Sequence, residues 1–249
     1  MDQLPALPDQ DFHKVLCVVA HPDDVEYGTS SAVARWTSHG VEVGYLLLTR
    51  GEAGMPNPPE ETARIRLGEQ QAACAAVGVT SLEVLDHPDG VLQPSLDLRR
   101  DIARAIRRDK PDVVVTGSWE EEFVAGLNQA DHRVAGMACL DAIRDADNPW
   151  VFRELVDDEG LEPWRVRWLL VAGHTRPTHA VDVSGEPLAR GVASLEAHSQ
   201  YLGAIEGHPA PAAFIPMIAS MGGQALGVDH AVLFRAWDFM APPPILAQD

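Results

Sequence analysis

Basic residues, cysteines and long apolar runs are all scarce in this sequence of 249 residues. Its 19 lysines and arginines face 37 aspartates and glutamates, so the formal net charge is −18. Such an acidic surface repels phosphate groups, which argues against nucleic acid and anionic membranes as partners. No apolar run approaches the ~20 residues that a membrane-spanning helix needs. The first ten residues carry no basic region of the kind that opens a signal peptide, so we expect no signal peptide there.

The cysteines are odd in number and widely spaced, at Cys17, Cys74 and Cys139. This arrangement excludes a disulfide framework and favours reduced core thiols in a cytoplasmic protein. Hydrophobic residues make up 46% of the chain, which is enough to build a substantial core. We therefore predict a single domain over residues 1–249.

Apolar runs of strand length alternate with helical patterns along the chain. Strands are predicted at 14–20, 41–49, 81–85, 113–116, 167–172 and 179–183, with helices between most of them. This alternation predicts an α/β fold with an open, mostly parallel sheet and helices on both faces. The polar stretch 145–165 is predicted to be an exposed insertion. The tail from about residue 201, rich in glycine, proline and methionine, is predicted to be irregular.

An imidazole and two carboxylates follow the first strand at once, in His21-Pro22-Asp23-Asp24. Ligands of open α/β sheets bind just beyond the carboxyl ends of the strands. Three ionisable groups at that point indicate a metal or proton-transfer site. The simpler alternative is a turn in which Pro22 stops the strand and an aspartate caps the next helix.

A zinc hydrolase needs three protein ligands and one open position for water. His21 and Asp24 leave the same strand end, and the stiff turn at Pro22 lets both side chains converge. The third candidate is His132, because it lies in the first turn of the helix after the fourth strand, at the same edge of the sheet. The neighbouring Asp131 is either a helix cap or a partner of a ligating imidazole. Other divalent transition metals also suit this set.

Asp23 is not expected to share the metal with Asp24, because the side chains of adjacent residues in a turn diverge. Beside a metal-activated water it is the natural general base, which takes a proton and later delivers it to a leaving group. The alternative is that Asp23 only supports the metal site.

Several motifs in this order resemble those of the LmbE-like (PIG-L) deacetylases, zinc enzymes that remove acyl groups from N-acylated amino sugars. The resemblance runs from Val15 to about Gln200 and implies a Rossmann-like α/β fold with one zinc ion per chain. It also implies that His21, Asp24 and His132 bind zinc, that Asp23 is the base and that Arg66 contacts the polar substrate. The motifs are Ala20-His21-Pro22-Asp23-Asp24-Val25-Glu26, Leu48-Thr49-Arg50-Gly51-Glu52-Ala53-Gly54, Arg66-Leu67-Gly68-Glu69, Leu82-Glu83-Val84-Leu85, Asp89-Gly90 and Ala130-Asp131-His132.

The chain departs from the family pattern at Gln129, where many members have a histidine thought to stabilise the oxyanion or protonate the leaving amine. Glutamine donates a hydrogen bond but is no proton donor near neutral pH. Gln129 and Asp131 are predicted to bind substrate beside Arg66. His230, or alternatively His198 or His174, is a candidate for the missing proton donor or oxyanion stabiliser.

The resemblance implies a cytoplasmic deacylase of a small amino-sugar conjugate, most simply an N-acetyl one. Loops 50–59 and 119–128 are expected to recognise that substrate. Two alternatives stay open: an amidase of a thiol–sugar conjugate, as in the mycothiol S-conjugate amidases, and a metal-binding member with weak or no catalysis because of Gln129. A homo-oligomer is left open.

Overall fold

The strands that are apolar on both faces form the centre of a seven-stranded sheet in the computed structural model, which describes residues 3–241. The strands are β1 (Lys14–Val19), β2 (Glu42–Thr49), β3 (Ser81–His87), β4 (Val113–Gly117), β5 (Glu122–Phe123), β6 (Gly126–Leu127), β7 (Trp168–Ala172), β8 (His179–Asp182) and β9 (Ala231–Asp238). The helices are α1 (Ser30–Ser38), α2 (Pro59–Val77), α3 (Leu96–Asp109), α4 (Ala130–Asp147), α5 (Glu154–Asp157), α6 (Glu186–Glu196), α7 (Ser199–Ala204) and α8 (Pro211–Leu226).

The large sheet has the strand order β3-β2-β1-β4-β7-β9-β8, and β5 and β6 form a separate two-stranded hairpin. The first five strands are parallel, whereas β9 runs antiparallel to both β7 and β8. The predicted fold class, an open and mostly parallel sheet within a single domain, is confirmed. Because β1, β2 and β4 are parallel, their carboxyl ends share one edge of the sheet.

Successive residues of β1 enter two different cores, which explains why the strand is apolar throughout. Cys17 and Val19 join the core covered by α1, α2, α6 and α8. Leu16 and Val18 join the core covered by α3 and α4. The helices therefore cover both faces of the sheet, as the alternation of strands and helices predicts.

Most residues of the stretch 145–165 are exposed, as its polar composition predicts, but the segment is also anchored to the core. Leu155 is fully buried, and the Trp164 indole donates to the carbonyl of Pro111, which precedes β4. The buried guanidinium of Arg107 donates to five backbone carbonyls between residues 145 and 152. A few apolar side chains and one distant arginine therefore fix a segment that is otherwise exposed.

The tail is regular over residues 201–241, contrary to prediction, since it contains most of α7, all of α8 and β9. Its last part, residues 242–249, lies outside the described residues. A side chain at Gly222 would collide with the carbonyl of Ala231, and one at Gly223 with the carbonyl of Val228. The glycines therefore allow α8 to pack closely against the start of β9, and they do not signal an irregular chain.

All three cysteines are free and buried, as predicted. Between residues 3 and 241, no helix combines the length and the apolar character that a membrane crossing requires.

Candidate active site

Hydrogen bonds from the end of β2 and from within the turn itself fix the turn after β1. The hydroxyl of Thr49, at the end of β2, donates to the carbonyl of Ala20 at 3.0 Å. Within the turn, the His21 backbone N–H donates to Asp24 Oδ2 at 2.9 Å. Asp23 adopts a left-handed conformation with φ of +84°, which costs an L-residue roughly 1–2 kcal/mol. The turn therefore separates the two neighbouring carboxylates, so that they face different partners.

His21, Asp24 and His132 meet at the carboxyl edge of the sheet and form the candidate metal centre. One potential ligand atom from each lies within 4.8 Å of the others. Asp24 Oδ1 lies 3.0 Å from His132 Nε2, and Asp24 Oδ2 lies 3.6 Å from His21 Nδ1. Two imidazole nitrogens and one carboxylate oxygen form a donor set that suits zinc with an open position. The residues present therefore fit the metal that the motifs imply.

The far side of His21 faces two more carboxylates. Its Nε2 lies 3.0 Å from Asp89 Oδ1 and 3.3 Å from Asp131 Oδ2. The backbone N–H groups of Gly90 and Leu92 donate to Asp131, and that of Ala53 donates to Asp89. With a proton on Nε2 donated to these carboxylates, Nδ1 is free to bind a metal.

Asp89, part of the Asp89-Gly90 motif of the family resemblance, therefore lies at the candidate site. Asp131, predicted to bind substrate, is buried beneath His21 and orients its ring. It accepts hydrogen bonds from His21 and from the backbone amides of Gly90 and Leu92, contacts that favour this orienting role. Beyond the motif, the sequence offered no specific role for Asp89.

The carboxylates control the protonation of both imidazoles. Burial lowers the pKa of His21, but Asp24, Asp131 and Asp89 outweigh it and raise the pKa to about 12. Burial likewise lowers the pKa of His132, and Asp24 reverses the effect, so the net pKa is raised. Burial raises the pKa of Asp24, but the two histidines hold it well below its usual range. In the metal-free protein His21 is therefore protonated at neutral pH, and a metal must displace that proton.

Asp23 lies beside the candidate metal centre, next to Asp24 in the chain, and is only 4% exposed. Its Oδ1 lies 3.0 Å from Arg66 Nη2, whereas its buried Oδ2 has no hydrogen-bond partner among residues 3–241. Burial raises the pKa of Asp23 to about 6, an effect that Arg66 offsets only in part. A buried carboxylate oxygen without a partner, beside a candidate metal centre, is the group expected of a base that receives a water proton.

Arg66 lies below the site and not on its surface, since it is only 2% exposed. Its guanidinium donates to the carbonyls of Pro22 and Gly51, pairs with Asp23 and stacks at 4.1 Å on the ring of Tyr201. In this structure Arg66 supports Asp23 and the loop after β2, and its contact with substrate stays a prediction. The inward face of α2 positions it there.

The loop before α4 is much more open than the turn after β1. Its Asn128 Oδ1 lies 3.3 Å from His132 Nδ1, and Asn128 Nδ2 donates to the carbonyls of Ser118 and Glu120. Asn128 thus orients His132, a role that sequence reasoning missed, although the two residues are one helical turn apart. Trp119 stacks on Trp237 at 5.9 Å between ring centroids and so anchors this loop.

Gln129 is exposed at the N-terminus of α4, one turn before His132. The histidines considered as replacements for the missing one are placed elsewhere. His198 is fully buried beside Glu26, and His174 is buried near Glu120 after β7. His230 immediately precedes β9, and its backbone N–H donates to Ser184 Oγ, just after β8. Among the described residues, His230 is not one of those that cluster as possible metal ligands.

The fold and the site together define an α/β protein with a candidate metal centre at the carboxyl ends of parallel strands. Residues 16–143 match the family model described as PIG-L, GlcNAc-PI de-N-acetylase. The chain belongs to the PIG-L family, as its motifs predict.

Named relatives add the following similarities. The chain is 30% identical over 181 residues to a diacetylchitobiose deacetylase of Thermococcus kodakarensis, covering 71% of this chain and 66% of that protein. It is 31% identical over 184 residues to a 1D-myo-inositol 2-acetamido-2-deoxy-α-D-glucopyranoside deacetylase of Thermobispora bispora, covering 61% and 56%. Both alignments span less than two thirds of the relative's own length.

A solved structure resembles the fold over nearly the whole chain. The N,N'-diacetylchitobiose deacetylase of Pyrococcus horikoshii, complexed with its inhibitor MPG, superposes with a TM-score of 0.83. It is 24% identical in sequence, and the match covers 96% of this chain and 90% of that one. At this identity the likeness concerns the fold alone.

Proposed function

We propose that this protein is a zinc-dependent hydrolase that removes an N-acyl group, most simply N-acetyl, from an amino-sugar conjugate. The main support is that His21, Asp24 and His132 cluster beside Asp23. The buried Oδ2 of Asp23 has no hydrogen-bond partner among the described residues. The activities of the named relatives, which deacetylate amino sugars by name, support the choice of substrate class.

In this proposal the three ligand residues hold one metal ion at the carboxyl edge of the sheet. A metal ion there supplies Lewis-acid chemistry, which acidifies water and polarises the acyl carbonyl. Asp89 and Asp131 keep the proton of His21 on Nε2, and Asn128 orients His132, so both imidazoles present the correct nitrogen.

Asp23 carries the proton through the reaction. Its Oδ2 takes a proton from the attacking water, whose oxygen bonds to the acyl carbon. The C–N bond then breaks, and the same proton passes from Asp23 to the leaving nitrogen, giving a free amine and a carboxylic acid that keeps the second water proton until it loses it to solvent. A carboxyl group with a pKa raised to about 6 is suited to both steps. It is basic enough to take a proton from the attacking water and acidic enough to give that proton to the leaving nitrogen.

Gln129 takes the place of a histidine in this scheme. Its amide is exposed at the start of α4 and can donate a hydrogen bond to a developing oxyanion without exchanging a proton. Proton delivery then depends on Asp23 alone, which is why we assign that residue both the acid and the base role.

The test is hydrolysis of N,N'-diacetylchitobiose, an N-acetylglucosaminyl inositol and a thiol–sugar conjugate by the purified chain. Acetate and free amine are measured for the zinc-loaded protein, the chelated protein and the chelated protein after zinc is restored. We expect acetate and amine in equal amounts, lost on chelation and regained with zinc.

Cleavage of the thiol–sugar conjugate alone would replace the proposal with the amidase alternative. Stoichiometric zinc without hydrolysis of any of the three substrates would favour the non-catalytic alternative.

A further inference from the structure

Asp23 rests on a buried chain of hydrogen bonds that the reaction above does not use. Its backbone N–H donates to Gln70 Oε1 at 2.9 Å, and Gln70 Nε2 donates to Glu26 Oε1 at 3.1 Å. Gln70 and Glu26 are each only 1% exposed. Ser194 Oγ lies 3.4 Å from the same oxygen of Glu26, and His198 Nε2 lies 3.8 Å from the other. The chain of contacts therefore runs from the base into the core between α2 and α6.

The backbone of Asp23 needs such support. Between residues 3 and 241, positive φ values outside glycine occur at Asp23, Lys110 and Phe152. Lys110 ends α3, where a left-handed residue is common. At Asp23 a change to negative φ would rotate the side chain about the N–Cα bond, away from Arg66. The hydrogen bond from the Asp23 N–H to Gln70 fixes the Pro22–Asp23 peptide plane, from which the Asp23 side chain is directed.

The orientation of the Gln70 amide is determined by its neighbours. Glu26 Oε1 accepts a hydrogen bond, so the amino group of Gln70 must face Glu26 and its carbonyl oxygen must face the Asp23 N–H. We propose that Gln70, oriented by Glu26, is the positioning residue that keeps Asp23 directed at the candidate metal centre. This inference rests on the proposed function, in which Asp23 is the base.

The first experiment compares Gln70→Leu with Gln71→Leu, because Gln71 is an exposed residue of the same type on the same helix. In the zinc-loaded protein we expect Gln70→Leu to lower kcat roughly 10- to 100-fold, with KM and zinc content unchanged. Gln71→Leu should leave kcat within about twofold of wild type. Loss of zinc from Gln70→Leu would overturn the proposal, since Gln70 would then support the metal ligands and not Asp23.

An exchange of the two side chains tests the hydrogen-bond chain itself. Gln70→Glu keeps an acceptor for Asp23 but places two carboxylates together, so kcat should fall. Adding Glu26→Gln supplies a donor from the other side and restores the chain with the same net charge. The double variant should therefore recover most of the lost kcat, an outcome that a packing role does not predict. A double variant no better than Gln70→Glu contradicts the proposal.

Hydrogen exchange separates this inference from the proposed function. In peptides spanning residues 20–27 of the zinc-loaded protein, Gln70→Leu should lose the protection of one amide, that of Asp23, while Gln71→Leu should not. Wild-type protein without hydrolase activity would refute the proposed function and leave this readout intact. Unchanged protection in Gln70→Leu would refute the positioning role even in an active enzyme.

Discussion

The turn after β1 and the loop before α4 both end at the candidate metal centre, but the turn is largely buried and the loop is largely exposed. In the turn, the side chain of His21 is 11% exposed and Asp23 is bonded by Gln70 and Arg66 from α2. In the loop, the hairpin of β5 and β6 leaves Val124 and Leu127 exposed at 68% and 82%, and the His132 side chain is 23% exposed.

This difference separates two tasks. The turn after β1 has many buried partners, so its geometry is fixed before any ligand arrives, as proton transfer requires. The loop before α4 is anchored at Asn128 and Trp119 but also exposes apolar side chains, which suits contact with variable parts of a substrate. The chemistry is therefore expected to depend on the turn and the choice of substrate on the loop.

The largest effect is expected from His132→Ala, which removes the one ligand that the loop side provides. With two ligands left, zinc binding and turnover should both be lost, as measured by metal analysis and by amine release. His230→Ala is the matched control and should keep its zinc, because His230 is not among the described residues that cluster as possible metal ligands. Full zinc content in His132→Ala would show that the ligand assignment is wrong.

Asp23→Asn tests the turn without removing a ligand. The amide cannot take a proton, so turnover should fall by about 10²–10⁴-fold while zinc content stays stoichiometric. The melting temperature of the metal-free protein should not fall, because burial of the ionised Asp23 is unfavourable, as its raised pKa indicates. Asp97→Asn, an exposed change of the same kind on α3, serves as the control. Retained turnover in Asp23→Asn would exclude Asp23 as the base.

The pH dependence of zinc affinity reports how many protons the two histidines release when the metal binds. In the metal-free protein the pKa of His21 is about 12 and that of His132 is also raised. Zinc must displace a proton from each protonated imidazole, so affinity rises with pH by about tenfold per unit for each proton released. Competition with a chelator between pH 7 and 8 should therefore give at least a tenfold increase. A flat profile would mean that both imidazoles are already neutral.

The smallest effect is expected from the hairpin. Replacing Val124 and Leu127 by serine removes exposed apolar contacts, so the ratio of kcat/KM between two substrates should change roughly two- to tenfold. Zinc content and melting temperature should stay as in wild type, and Met221→Ser on the exposed face of α8 should change neither ratio nor zinc. An unchanged ratio would remove the hairpin from substrate selection.

The sequence was most informative where the contacts are local or follow from topology. His21, Asp23 and Asp24 lie within one turn, and the parallel order of β1 and β4 was enough to bring His132 to the same edge. Strands that are apolar throughout also predicted that helices cover both faces of the sheet.

The failures share one physical cause, which is contact between distant parts of the chain. Asp89, Gln70 and Asn128 each act through a partner whose position depends on the completed fold. The burial of Arg66 could not be read from its charge, and the exposed position of Gln129 could not be read from its motif. Composition misled for the tail, since its glycines serve the close packing of α8 on the chain near β9.

The position of β9 has a consequence for the order in which the protein is made. Its residues are among the last of the described chain, yet it lies between β7 and β8 and joins them. A nascent chain therefore completes the ligand set at His132 long before the sheet can close. Until β9 emerges, β7 presents an unpaired edge, which makes that interval the stage at which the growing chain is most exposed to aggregation.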